Sequence, residues 1–386
     1  MTNFALRKIN ERSMEIPFVY GKIADGTNFT DRTQDTEKLV NNFKGLVNTV
    51  IISPRRWGKT SLVNHALQRM SNENDYLLCQ IDIFNCRTEA QFYQAYVNAL
   101  LKASYTKMDE FIAAAKKYVG AFGPKLTLSD SSMQYELAFG IDFKDKQYSY
   151  DEILDLPQQI ALERGKKFIV CIDEFQNLAN LSEWKRIEGL LRSVWQQHQH
   201  TTYCLYGSKR HMMLDIFNNS SNPFYRFGQV MYLDKISKEY WIPYIIDTFS
   251  KSGKSISREA AERICDAVDC HSWYVQQLSF FVWADTENEA TVEMVDNALL
   301  SVIDTNRPVF ESDADKLSAS QMAMLHAVAN GEYRLNASEV VNRYNLGGPQ
   351  TITRNKRVLV EKDIIEKRGD GFDFVDPLFR VWIIRG

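Results

Sequence analysis

The stretch 50-VIISPRRWGKTSLVNHAL-67 decides the fold. A β-branched run at Val50–Ile52 passes through a short polar turn into Gly58-Lys59-Thr60-Ser61, after which apolar residues recur at helical spacing. A strand entering a helix through such a turn is the arrangement of a phosphate-binding loop. Backbone N–H groups cradle the anion, and the helix N-terminus adds the positive end of its dipole. In that reading Lys59 reaches the β- and γ-phosphates of a nucleotide and the Thr60 hydroxyl ligates Mg2+. Ser53, Pro54, Arg55, Arg56, Trp57, Gly58 and Ser61 complete the nucleotide-binding loop. The usual pattern is G-x-x-x-x-G-K-[ST], and Ser53 stands at its first glycine. The competing reading is a chance GKT on a strand–helix turn.

A second stretch bears on that choice. The run 168-FIVCIDEF-175 reads as a buried strand that ends in two acids, Asp173 and Glu174. An acid at the carboxyl end of a strand, beside a phosphate loop in the same sheet, can hold Mg2+ directly or through water. Glu174 is then placed to polarise a water for attack on the γ-phosphate. The pair points to a nucleoside triphosphate site.

Further apolar runs lie at 76-YLLCQIDIF-84, 202-TYCLYGS-208 and 229-QVMYL-233, with helical stretches such as Thr60–Ser71 and Glu89–Ala103 between them. Runs of this length without polar alternation suit strands covered on both faces, and their alternation with helices implies βαβ units and a parallel sheet. The segment from about Ser104 to Ser149 fits either a strand pair or an irregular insertion. From Ser237 to Thr305 the pattern is helical, with Ser257 and Thr291 as N-caps. After Arg307-Pro308 come three further helices and a hairpin turned by Arg368-Gly369-Asp370-Gly371. Three domains are therefore expected: a nucleotide core over 1–235, a helical lid over 236–306 and a winged helix over 307–386.

The segments 53-SPRRWGKTSL-62, 168-FIVCIDEFQNL-178, 203-YCLYGS-208 and 376-DPLFRVW-382 together resemble the archaeal-type ATPases, in the STAND branch of the AAA+ P-loop NTPases. The segment 28-NFTDRTQDTEKL-39 is similar to that family's N-terminal stretch, in which an aromatic and an arginine, here Phe29 and Arg32, precede a helix. The resemblance spans nearly the whole chain. It implies an α/β AAA+-like core with Walker A and Walker B elements, a helical lid, a C-terminal winged helix, and ATP hydrolysis with Mg2+ that drives a molecular switch. It also implies two residue roles. Ser208, at the end of its strand, matches the first sensor of the γ-phosphate, with a plain strand-end turn as the alternative. Arg226 in 222-NPFYRFGQV-230 matches an arginine that stabilises transition-state charge in cis or in trans, with a structural ion pair as the alternative. The family's lid often carries Gly-x-Pro-x-Tyr. Here 270-CHSWY-274 puts His271 and Trp273 in place of the small residue and the proline, and Trp273 reads as a core tryptophan before a base-stacking one.

Charge and composition narrow the class. The chain has 386 residues and 46 basic against 49 acidic side chains, a net charge of −3, so any nucleic-acid contact must come from a local patch. The winged helix holds ten basic and eight acidic residues from Leu317 to Gly386. Its third helix, about Gln350 to Glu361, presents Gln350, Thr351, Thr353, Arg354, Lys356 and Arg357. Those groups can meet phosphates and base edges, but the balance makes DNA a secondary expectation beside protein docking or self-assembly. The first residues, MTNFALRKINERSMEIPF, show no apolar signal core, and no run is long and apolar enough to span a membrane. The six scattered cysteines read as reduced, so a cytoplasmic protein is expected. His198 and His200 read as a solvated pair. The alternative function is a slow nucleotide-gated adaptor or DNA-binding regulator.

Overall fold

The computed structural model describes residues 17–22, 30–119, 124–128, 135–139 and 150–385, in two compact units. Phe29, named above, lies outside the described residues.

The first unit runs from Arg32 to Asp234. Its elements are α1 (Thr33–Lys44), β1 (Thr49–Ile52), α2 (Lys59–Met70), β2 (Tyr76–Asp82), α3 (Glu89–Ser104), α4 (Met108–Val119), β3 (Pro124–Leu128), β4 (Tyr135–Phe139), α5 (Tyr150–Arg164), β5 (Lys167–Asp173), a 3-10 turn at Phe175–Asn180, α6 (Trp184–Trp195), β6 (Thr201–Gly207), α7 (Arg210–Asn218) and β7 (Gln229–Tyr232). The five long apolar runs form one parallel sheet in the order β2-β5-β6-β1-β7. Every residue of β1 and β6 is buried, as strands covered on both faces require. Of the two readings of the segment after Ser104, the strand pair is present: β3 and β4 run antiparallel, Pro124 opposite Phe139.

The strand order places the chemistry. β6 lies between β1 and β5, so the loop after β1, the acids after β5 and the residue after β6 converge at the carboxyl edge of the sheet, where open α/β sheets bind ligands.

The second unit takes in the chain from Lys235 and the described residues before Arg32. It holds α8 (Lys238–Lys251), β8 (Ser255–Ile256), α9 (Arg258–Ala267), α10 (Ser272–Asp285), β9 (Glu289–Ala290), α11 (Val292–Ala314), α12 (Ala319–Ala329), α13 (Ser338–Tyr344), α14 (Pro349–Glu361), β10 (Ile365–Arg368), β11 (Gly371–Phe374) and α15 (Pro377–Arg385). Ser257 and Thr291 cap their helices by accepting from Ala260 N–H and Met294 N–H. The hairpin turns at Gly369-Asp370, with Arg368 opposite Gly371 and Gly369 at φ 57°.

Three features differ from the sequence reading. α11 continues through Pro308 to Ala314, losing one backbone hydrogen bond, and carries Phe310 into apolar core shared by the helical part and the winged helix. Phe18, counted with the nucleotide core, packs instead against Phe249 of α8, ring centroids 5.4 Å apart. A further helix, α15, follows the hairpin, capped by Asp376 Oδ1, which accepts from Leu378 N–H at 2.9 Å.

Candidate nucleotide site

The loop between β1 and α2 owes its shape to two left-handed residues, Arg56 at φ 63° and Gly58 at φ 89°. Gly58 is the N-cap of α2 and offers no side-chain cap, so the first N–H groups of that helix are left for a ligand. A Cβ at position 58 would meet nothing within 4 Å, so in the protein alone the glycine is required by backbone angle and not by space. Ser53 is absent from the positive-φ residues, which explains how a side chain stands where the usual pattern has glycine. It is almost wholly buried, its hydroxyl turned onto Pro54 O at 3.3 Å.

Lys59 folds back into this loop. It is 6% exposed, and its ammonium donates to Pro54 O at 2.7 Å, Ser53 O at 3.0 Å and Ser53 Oγ at 3.4 Å. These partners are all neutral. Burial accordingly lowers its pKa from 10.5 to about 8, against the pull of Glu174 and Asp173. A buried cation held only by neutral oxygens could take an anion as its partner.

Thr60 and Asp173 meet across the sheet edge, the hydroxyl donating to Asp173 Oδ2 at 2.9 Å. Burial raises Asp173 to about 6, with Glu174 adding to the rise and the Thr60 bond opposing it. A hydroxyl and a carboxylate oxygen side by side are hard donors that suit Mg2+. Glu174 sits in the left-handed region at φ 56°, and its N–H donates to Asp173 Oδ1 at 2.8 Å.

The Glu174 carboxylate is itself held. Ser208 Oγ donates to Oε2 at 2.9 Å and the Ser208 N–H at 3.4 Å, while Gln176 Nε2 donates to the same oxygen. Arg55 Nε donates to Ser208 Oγ at 3.3 Å, linking the phosphate loop to the end of β6. The structure thus brings together Ser53, Pro54, Arg55, Lys59, Thr60, Asp173, Glu174 and Ser208. Trp57 is buried, and its carbonyl accepts from Arg32 Nη2 at 3.2 Å. Ser61 is buried in the first turn of α2. Arg226 stands apart: it is exposed on a turn, its guanidinium 5.2 Å from the Tyr225 ring centroid, with no hydrogen bond to the loop or the acids among the described residues.

Two residues escaped the sequence reading. Gln176 is fully buried, and a Cβ on Gly207 would fall 1.7 Å from its Oε1, so this glycine makes room for the amide that grips Glu174. The available signal was a polar residue set between apolar Phe175 and Leu178. The second is His198. Its side chain is 1% exposed, with Nε2 3.1 Å from Asp155 Oδ1 and Nδ1 2.9 Å from the Tyr203 hydroxyl. The expected solvated pair is therefore incorrect at this position, because the turn before β6 carries the ring inward onto Tyr203. Trp273 is half-buried against the apolar core of the second unit and packs edge-on to Tyr20, ring centroids 6.2 Å apart.

A family model described as a probable winged helix domain matches residues 308–385. No curated protein matches the chain. Among solved structures the chain is similar to a Walker-type ATPase of Pyrococcus abyssi, with a TM-score of 0.66, 16% identity, and coverage of 96% of this chain and 100% of that one. It is also similar to the ORC2 protein of Aeropyrum pernix, in a structure of its ADPNP-ADP complexes, with a TM-score of 0.55, 12% identity, and coverage of 95% and 96%. The ADP form of that protein gives a TM-score of 0.51 at 14% identity, with coverage of 95% and 98%. The chain therefore has the P-loop ATPase fold, with a parallel five-stranded sheet and a C-terminal winged helix. No helix among the described residues is long and apolar enough to cross a membrane.

Proposed function

We propose that the chain binds ATP with Mg2+ at the edge of its parallel sheet, hydrolyses it slowly, and works as a nucleotide-driven switch. The observation that carries this reading is Lys59, a buried ammonium with only neutral partners, beside the Thr60–Asp173 pair. A triphosphate would replace the Ser53 and Pro54 carbonyls as partner of Lys59 and accept from the uncapped N–H groups of α2. Thr60 and Asp173 would hold the magnesium ion, which, when bound, supplies charge neutralisation at the β- and γ-phosphates. Glu174 would accept a proton from the attacking water once freed from Ser208 and Gln176. Ser208 would then be free to bond the γ-phosphate, the role of a first sensor. Arg226 would act on the transition state only after a movement, or from a second copy of the chain.

The three donors on Glu174 also support the alternative of a nucleotide-gated adaptor with slow basal turnover. DNA is the weaker partner class. On α14, Thr353 and Arg354 are exposed, but Lys356 lies over the Phe372 ring at 5.7 Å and Arg357 pairs with Glu361 at 3.6 Å. Calorimetric titration of Mg·ATP into the full chain tests the site. One saturable site is expected, with affinity lost in Lys59→Ala; undiminished affinity in that variant would remove the phosphate loop from the account.

A further inference from the structure

The turn that joins α9 to α10 brings two cysteines together. Cys265 lies near the end of α9 and is fully buried, whereas Cys270 is partly exposed. Between them the chain reverses through Asp269 and Cys270, both left-handed at φ 47° and 53°, and the Cys270 N–H donates to Cys265 O at 2.9 Å. This closed turn sets the two side chains against each other, so that the Cys265 thiol can donate to the Cys270 sulfur.

The surroundings make the two sulfurs unequal. Cys270 is lowered from its ordinary pKa first by the bond it accepts, and further by the Lys238 and Lys235 ammoniums, against burial and the Asp269 carboxylate. Cys265 is raised, because it donates that bond and is buried. Lys238 pairs with Asp266 and Lys235 with Asp269, while Arg368 Nη1 lies 3.8 Å from Asp269, so each cation around the turn stands beside a carboxylate. A partly exposed thiol of lowered pKa beside a second thiol is the arrangement of a redox-sensing pair.

We propose that Cys270 and Cys265 are the attacking and resolving thiols of a peroxide-oxidised dithiol. The Cys270 thiolate attacks one peroxide oxygen and the O–O bond breaks, leaving sulfenic acid on Cys270 and a hydroxide that takes a proton to become water. Cys265 then attacks the Cys270 sulfur, giving up its proton, and the departing hydroxide leaves as the second water. Two thiols and one peroxide become one disulfide and two waters. The turn that would be locked leads directly into α10, where the Tyr274 hydroxyl donates to Asp376, the cap of α15 in the winged helix. Oxidation therefore acts at a joint between the helical part of this unit and its winged helix.

Cys171 and Cys204 provide an internal comparison. They are register partners on β5 and β6, with their side chains on one face of the sheet, but both are fully buried. Proximity without access should leave them reduced.

The test is graded hydrogen peroxide on the folded full-length chain, alkylation of remaining thiols, and mass spectrometry of the tryptic peptide 264–316, which holds both cysteines because the Arg307-Pro308 bond is not cut. The expected product is that peptide two hydrogens lighter and unalkylated, restored by dithiothreitol, while Cys171 and Cys204 stay alkylatable after unfolding. In Cys265→Ser a dimedone adduct should form on Cys270, and in Cys270→Ser neither product should appear. Should Cys265→Ser fail to fold, alkylation rates on the unaltered chain decide, with Cys270 expected to react at least about tenfold faster than any other cysteine. Absence of the lighter peptide, or oxidation of Cys171 and Cys204 at equal peroxide, would overturn the proposal.

Discussion

Alkaline pH should weaken nucleotide binding through Lys59 alone. Burial lowers this ammonium to about pKa 8, so the free protein carries it charged in about nine-tenths of molecules at pH 7 and about one-tenth at pH 9. A bound phosphate keeps it charged at both. Affinity for Mg·ATP must then fall about tenfold over that interval, or about 1.4 kcal/mol, because only the charged fraction binds. The window suits the purpose, since a phosphate monoester has finished titrating near pH 6 and contributes no slope above it. Isothermal titration calorimetry from about pH 7 to about 9.5, in buffers of differing ionisation enthalpy, measures affinity and proton uptake together. Uptake should approach one proton per nucleotide at the alkaline end. Lys59→Arg carries a guanidinium that stays charged throughout, so its profile should be flat wherever it binds. A flat profile in the unaltered chain, or an equal fall in Lys59→Arg, would refute the assignment of this limb to Lys59.

Three further outcomes follow from particular contacts. Lys59→Met should stabilise the nucleotide-free fold by about 1–3 kcal/mol in urea unfolding while abolishing nucleotide binding, since it removes a buried charge without a carboxylate partner; a loss of stability would contradict the electrostatic picture. Gly207→Ala places a Cβ 1.7 Å from Gln176 Oε1 and should cost about 1–3 kcal/mol, relieved when Gln176→Ala is added; no relief would place the strain elsewhere. His198 is buried with its pKa lowered from 6.5, chiefly by burial, so the neutral ring is favoured in the fold. Its contribution is therefore complete above about pH 6.5 and is lost as pH falls below it, and urea midpoints should show that acid slope flattened in His198→Gln.

How far the sequence carried these conclusions depends on which forces were local. The inner strands β1, β5 and β6 were legible because burial on both faces demands unbroken apolar runs, and the convergence of Lys59, Thr60, Asp173 and Glu174 was legible because residues that follow neighbouring parallel strands share one edge of the sheet. The caps at Ser257 and Thr291 were legible for the same local reason. Gln176 was not, since its role depends on the empty space at Gly207, some thirty residues away and meaningful only once β6 lies beside the turn after β5. His198 read as solvated because polarity was weighed without Asp155 and Tyr203, which the fold supplies from α5 and β6. Pro308 read as a boundary because a proline usually ends a helix, whereas the burial of Phe310 on α11 outweighs one lost hydrogen bond. Arg226 was placed by resemblance, and its exposed turn gives it no present partner in the site.

Turnover in Glu174→Gln, measured beside nucleotide binding, tests the central claim most directly. The account predicts measurable phosphate release from Mg·ATP by the unaltered chain, a fall of at least about a hundredfold in Glu174→Gln, and affinity for Mg·ATP retained within a few fold. Equal turnover in the variant, or phosphate release that persists in Lys59→Ala, would contradict it.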